Sequence, residues 1–196
     1  VDSEKKARAP GRPRDAEAER RILDVALRML AEDGYSRMSL DAVAQEAGVS
    51  KPTIYRRWSS KADLATAALR TIQLAEPPVA AGDTPGELAG ILENFSRSLF
   101  RPNGMSLVGT VLAEEAHTPE LLQLFRERLV TPRRRMLREI LEKAGQRGEL
   151  RPGVNLDQVV TMLVGAFYAR YLAASEAPEG FARGLVDVVW NGIANR

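Results

Sequence analysis

Along most of this chain the apolar residues recur at three- and four-residue spacing, in runs cut short by glycine and proline. No convincing two-residue alternation competes with that pattern, so the expected fold class is all-α, with about nine helices. Asp15 offers a cap for a first helix from about Ala16 to Asp33, which carries Ile22, Leu23, Ala26, Leu27 and Leu30 and which Gly34 ends. Ser39 opens a second helix of only about two turns, with Leu40, Val43, Ala44 and Ala47, stopped at Gly48. Ser50 caps a third, in which Pro52 sits near the first turn and Ile54 and Trp58 point to one side. Ser60 opens a fourth, over residues 61–75, and Glu76-Pro77-Pro78 stops it. Five further segments follow at about Pro85–Arg101, Met105–Ala116, Pro119–Ala144, Leu156–Ala174 and Pro178–Ala194, the third with a kink expected at Pro132.

What the chain lacks narrows its chemistry. The 196 residues contain no cysteine and a single histidine, His117, so disulfides, thiolate metal sites and cysteine nucleophiles are excluded together. No paired-carboxylate, phosphate-loop or nucleophile motif stands out, and neither enzyme activity, a cofactor nor a metal is expected. Glu114 lies three residues before His117, where the two read as a metal pair, as a means of orienting a polar effector group, or as plain residues at the end of a surface helix. No apolar run approaches the ~18 residues that span a bilayer, and the basic, polar start has no signal-peptide core. A reducing cytoplasm suits such a chain.

Net charge is only +2, but it is unevenly spread. Residues 1 to 75 hold 14 Lys and Arg against 11 Asp and Glu, while the remainder holds 14 against 15. Lys5 to Arg14 is free of acid and carries two prolines, which predicts a disordered basic arm over residues 1–14. A second acid-free window, Ala47 to Ala62, contains Lys51, Arg56, Arg57 and Lys61. Both suit phosphates.

Two short helices joined through Gly48, the second basic and rich in small polar and aromatic residues, make a helix-turn-helix whose second helix can enter a major groove. The stretch from Met38 to Leu64, with Gly48-Val49-Ser50, Thr53-Ile54-Tyr55, Trp58 and Ser60-Lys61 as anchors, resembles the tetracycline-repressor (TetR) family of bacterial regulators. Ala31-Glu32-Asp33-Gly34-Tyr35 and the turn Gly148-Glu149-Leu150-Arg151 extend the likeness. The expected organisation is then an arm (1–14), a DNA-binding head (15–62) and a helical ligand-binding and dimerisation body (63–196), joined by the fourth helix.

Within the head, Val43, Ala44, Val49, Ile54 and Trp58 read as core that fixes the angle of the reader helix. Ser39 reads as a cap whose amide end can also bind a phosphate. Ser50, Lys51, Pro52, Thr53, Tyr55, Arg56 and Arg57 are the expected DNA-facing residues. Lys51 or Arg56 suits guanine, Thr53 and Pro52 a thymine methyl, and Tyr55 and Arg57 phosphates. The resemblance makes Lys61 a phosphate contact, and it marks Arg57 as a departure, since the family often has His or Tyr there. Pro10-Gly11-Arg12-Pro13-Arg14 resembles minor-groove hooks, with Arg12 and Arg14 as the inserting residues; general phosphate attraction and an inert tail are the other readings.

In the body, Phe95, Leu99, Met105, Val108, Val111, Leu112 and Phe125, with Phe167, Tyr168 and Tyr171, are candidates to line a pocket, although residues of this kind equally fill a core. Met105 beside Gly104 and Gly109 suggests adaptable packing. The last two helices are apolar on more than one side and so need a second partner, most simply a copy of themselves. The resemblance implies a homodimer through a four-helix bundle, double-stranded DNA with a palindromic operator as partner, and a small, largely apolar effector that releases a repressor. An activator, or a constitutive binder without small-molecule control, reads DNA in the same way.

Overall fold

The computed structural model describes residues 13–72 and 82–195. Every regular element in it is helical: α1 Pro13–Glu32, α2 Leu40–Glu46, α3 Lys51–Tyr55, α4 Lys61–Arg70, α5 Thr84–Phe100, α6 Gly104–Ala113, α7 Pro119–Phe125, α8 Thr131–Gln146, α9 Leu156–Ala174 and α10 Phe181–Ile193. A π-helical turn, Arg126–Val130, runs without a break between α7 and α8. Counted as continuous paths the described residues therefore form nine helices, as the punctuation predicts.

The π turn is the physical answer to Pro132. A proline has no N–H to offer the carbonyl four residues back, and its ring crowds that carbonyl. Here Thr131 donates instead to the Arg126 carbonyl, five residues back, so the widened turn sits just before the proline.

The last helix, α10, begins at Phe181 behind Gly180, not at Pro178, and three boundaries nearer the candidate sites also differ from expectation. Helix α1 begins at Pro13, so Arg14 lies within it and Asp15 is not its cap; proline at the first helical position already has the right φ. Arg12 and the rest of the arm lie outside the described residues. Helix α4 ends at Arg70, where the Thr71 hydroxyl donates to the Ala68 carbonyl at 2.7 Å; residues 73–75, expected to continue it, also lie outside the described residues. Helix α6 stops at Ala113, which leaves Glu114 and His117 in a turn and removes the shared helix face on which a metal pair would depend.

The core runs through both parts of the chain. Helix α1 packs against α4 and α6, and α4 also packs against α7, so the head is seated on the body. Asn103, at the α5–α6 corner, donates to Glu32 at the end of α1 across 2.8 Å. That corner is tight, because a Cβ on Gly104 would lie 2.3 Å from the Ser98 carbonyl oxygen. The glycine therefore serves a close backbone approach, not adaptable packing. At the far end, Arg151 donates its amide to Ile193 and Asn195 to Glu149, so the turn after α8 clips the end of α10. Buried Thr84 donates to Glu149 and accepts from Arg147, both at 2.6 Å, tying α5 to the same turn.

Candidate nucleic-acid interface and ligand cavity

Helices as short as α2 and α3 do not persist alone; packing must hold them. Val43 and Ile54 are fully buried, Ala44 and Trp58 nearly so, and Val49 packs partly buried against them. Gly48 takes φ +66°, the left-handed turn that sets α3 against α2. The caps then divide. The Ser39 and Ser60 hydroxyls accept from the Ala42 and Asp63 amides at 3.1 and 3.0 Å. Ser50 stands at the corresponding position of α3, but its hydroxyl pairs with the Thr53 hydroxyl at 2.8 Å and caps no backbone N–H. This couples Ser50 to a reader-helix side chain.

The outer surface of α3 presents Lys51, Pro52, Tyr55 and Arg56 to solvent, with Thr53 and Arg57 half-buried beside them. Arg57 reaches the Thr53 carbonyl at 3.4 Å. An unforeseen residue organises this face: Asp41 accepts from Lys51 at 2.6 Å and from the Tyr55 hydroxyl at 3.2 Å. The hydrogen bond from Lys51 holds the Asp41 carboxyl below its usual range, and the same bond raises Lys51. In the sequence Asp41 reads only as an acid in a helix first turn, where the macrodipole alone accounts for it.

Lys61 is committed differently from expectation. Its ammonium donates to the Tyr35 carbonyl at 3.0 Å and lies 4.2 Å from the centre of the Tyr35 ring, bracing the turn between α1 and α2. An ammonium has three donors, so this leaves capacity for a phosphate.

In the body a cavity of about 200 Å³ opens between α5, α6, the π turn and α9. Of the ten candidate residues it is lined by Phe95, Leu99, Val108, Phe125 and Tyr168. The other five lie elsewhere. Val111 and Phe167 are fully buried in the core, and Met105 is half-buried against it. Leu112 is 53% exposed in the last turn of α6, and Tyr171 packs on Phe100 with ring centres 5.7 Å apart. The cavity also holds residues the sequence did not single out, among them Ile72, Leu129, Val130 and Arg133. Leu129 and Val130 come from the π turn, which thus shapes one wall.

His117 is exposed, and among the described residues no group of three His, Cys, Asp or Glu side chains could hold a metal. No described helix is long and apolar enough to cross a membrane.

Comparison with known proteins agrees with this geometry. Residues 22–68 match the family model of bacterial regulatory proteins of the tetR family, and residues 78–189 match the tetracyclin repressor-like C-terminal domain. An uncharacterized HTH-type transcriptional regulator of Mycobacterium tuberculosis is 34% identical over 92% of this chain and 88% of its own length. The DNA-binding transcriptional repressor TetR of Mycobacteroides abscessus is 60% identical over 48 residues, covering 24% of this chain and 25% of that one. Among solved structures, a putative transcriptional regulator from Saccharomonospora viridis in complex with choline superposes with a TM-score of 0.70, at 22% identity over 92% of this chain and 100% of that one. Proteins of this family typically bind DNA as homodimers and are not catalysts. The chain belongs to the tetR family of bacterial regulators and is a DNA-binding transcriptional regulator.

Proposed function

We propose that the protein is a cytoplasmic homodimeric repressor that holds a palindromic operator and is released from it by a small molecule bound in the body. The observation that carries this reading is the reach of α4. The helix begins with Lys61 at the DNA-binding head, and Ile72, just past its end, lines the cavity ~16 Å away at 1.5 Å per residue. A ligand that bears on Ile72 therefore meets the element that positions the head. Such a ligand shifts the spacing of two heads only through its different affinities for the two arrangements, and ~1–3 kcal/mol of coupling weakens DNA binding roughly 5–150-fold. The neighbour in complex with choline supports the idea that a protein of this fold takes up a small molecule.

The DNA-facing set proposed is Ser39, Ser50, Lys51, Pro52, Thr53, Tyr55, Arg56, Arg57 and Lys61, with Arg12 as a minor-groove arm and Arg14, in the first turn of α1, at its root. The head (15–62), body (63–196) and connecting fourth helix keep the division set out above. Selection of duplexes from a random pool tests the reading directly. It should return a palindrome, and if ~6–10 phosphates are contacted, affinity for it should fall roughly 10³–10⁵-fold between 50 and 200 mM salt. Equal affinity for selected and scrambled duplexes at every salt concentration rejects an operator-binding role.

The division of labour within the head gives a second expected result. Arg56 is exposed and makes no ion pair among the described residues, so Arg56→Ala should shift base preference, by roughly 1–3 kcal/mol at the contacted base. Lys61→Ala should weaken all sequences alike, and should also lower the melting temperature because it unties the Tyr35 turn. A changed consensus for Lys61→Ala with an unchanged one for Arg56→Ala reverses these roles.

A further inference from the structure

Helix α8 opens with three consecutive arginines that meet different fates. Arg134 donates to Thr161 at 3.0 Å, and Arg135 lies 3.8 Å from Glu139. One turn on, Arg138 bonds Glu142 at 2.7 Å and Asp157 at 2.6 Å. Arg133 does neither. It occupies a core-facing position of the helix, four residues from Leu129 on one side and four from buried Leu137 on the other. Its guanidinium reaches the cavity, 4.4 Å from the centre of the Phe95 ring. The Tyr168 ring meets the same Phe95 edge-on at 5.8 Å and also lines the cavity. Neither Arg133 nor the Tyr168 hydroxyl has a hydrogen-bond partner among the described residues. Among the described residues of the lining, Arg101 is the other charged one and none is Asp or Glu.

A guanidinium cannot shed its proton, so a partly desolvated one without a counter-ion is costly, and the Phe95 face offsets only part of that cost. Burial pulls Arg133 below its ordinary range and pushes Tyr168 above its own, which marks both as desolvated. A carboxylate entering the cavity would supply the missing charge and accept from both groups. We propose that the effector is a small organic carboxylate, its head bound by Arg133 and Tyr168 and its apolar or aromatic body against Leu99, Val108 and Phe125. This rests on the reading of the cavity as the effector site.

Calorimetric titration with phenylacetate and octanoate, beside phenylacetamide, octanamide and choline, tests it on wild type, Arg133→Met and Tyr168→Phe. Wild type should bind the carboxylates about tenfold or more tighter than the matching amides, the ratio expected when a charge-assisted hydrogen bond is gained. Arg133→Met, shown folded by its melting curve, should lose that preference while retaining amide binding. Tyr168→Phe, which leaves the ring in place, should weaken the carboxylates alone, and it carries the test if the methionine variant does not fold. Amides or choline binding wild type as tightly as the carboxylates overturns the proposal. So does a preference that survives Arg133→Met, or carboxylates that fail to bind at millimolar concentration. Amides that bind and lower operator affinity would remove the anion but leave ligand control standing. If no compound of either kind binds or moves DNA affinity, the carboxylate proposal falls, and a broad compound screen then decides between ligand control and constitutive binding.

Discussion

Val188→Glu is expected to turn a dimer into a folded monomer and to cut operator affinity by roughly 10²–10⁴, the advantage that linking two half-site readers confers. Val188 is 73% exposed within its own chain, so its side chain contributes little to the fold of the protomer. Gly184 and Gly192, one turn to either side, have open space where a Cβ would stand. Helix α9 likewise exposes the apolar residues Met162 and Leu172, with Gly165 and Ala169 spaced between them. Small residues beside exposed aliphatic ones let another helix come close, and a two-fold axis through such a face would bring the introduced carboxylate near its own copy on the partner. Sedimentation at micromolar concentration reads the assembly, a melting curve the fold, and an operator titration the consequence. A variant that stays dimeric with wild-type affinity would reject α9 and α10 as the interface. Val164, which also belongs to α9, does not serve this test, because it is only 9% exposed and its replacement by arginine would report on the core.

The helices were legible in the sequence because their punctuation is chemical and local. Leu156–Ala174 emerges with the expected bounds, since Asn155 accepts from the Gln158 amide at one end and Ser175 takes φ +54° at the other. The start of α1 was not legible, because Pro13 inside a basic Pro-Arg stretch reads equally as extended chain and as a helix's first residue. The head shows the same contrast. Its reader-helix residues follow one another within eight positions, so their joint exposure could be read from spacing alone. Asp41, which ties two of them together across the α2–α3 turn, could not.

The cavity was the least legible feature, and its missing residues show why. Periodicity tells which face of a helix turns inward but not whether the inside is filled or hollow. Leu112 follows Val108 by four residues and so shares its stripe, yet α6 ends one residue later and Leu112 faces solvent. Leu129 and Val130 reach the cavity through a π turn whose cause, Pro132, was visible but whose outcome was not. Arg133 did carry a signal, a charge in the apolar stripe between Leu129 and Leu137, but the adjoining Arg134 and Arg135 made it look like part of a solvated run.

The largest loss of stability is expected from Phe167→Ala. Phe167 is fully buried, edge-on to Phe95 at 5.2 Å and to Phe181 at 5.1 Å, so one ring joins α9 to both α5 and α10. Removing a phenyl group from such a site costs about 3–5 kcal/mol, because the neighbours collapse only partly into the space left. For a chain of this size that is roughly 6–20 °C in melting temperature, and a large share of the ~5–15 kcal/mol that holds an ordinary domain together. Tyr168→Phe, one position along, keeps its ring and should shift the melting point by no more than a few degrees. The pair of melts separates two roles for neighbouring aromatic residues: a hydroxyl that faces open space gives up few contacts when removed, whereas a core ring gives them up on every side. Benzene should restore part of the melting temperature of Phe167→Ala, as it fills apolar cavities made by truncation, and should do little for wild type. A drop below about 2 °C for Phe167→Ala would show that its ring borders open space, and would return Phe167 to the ligand cavity.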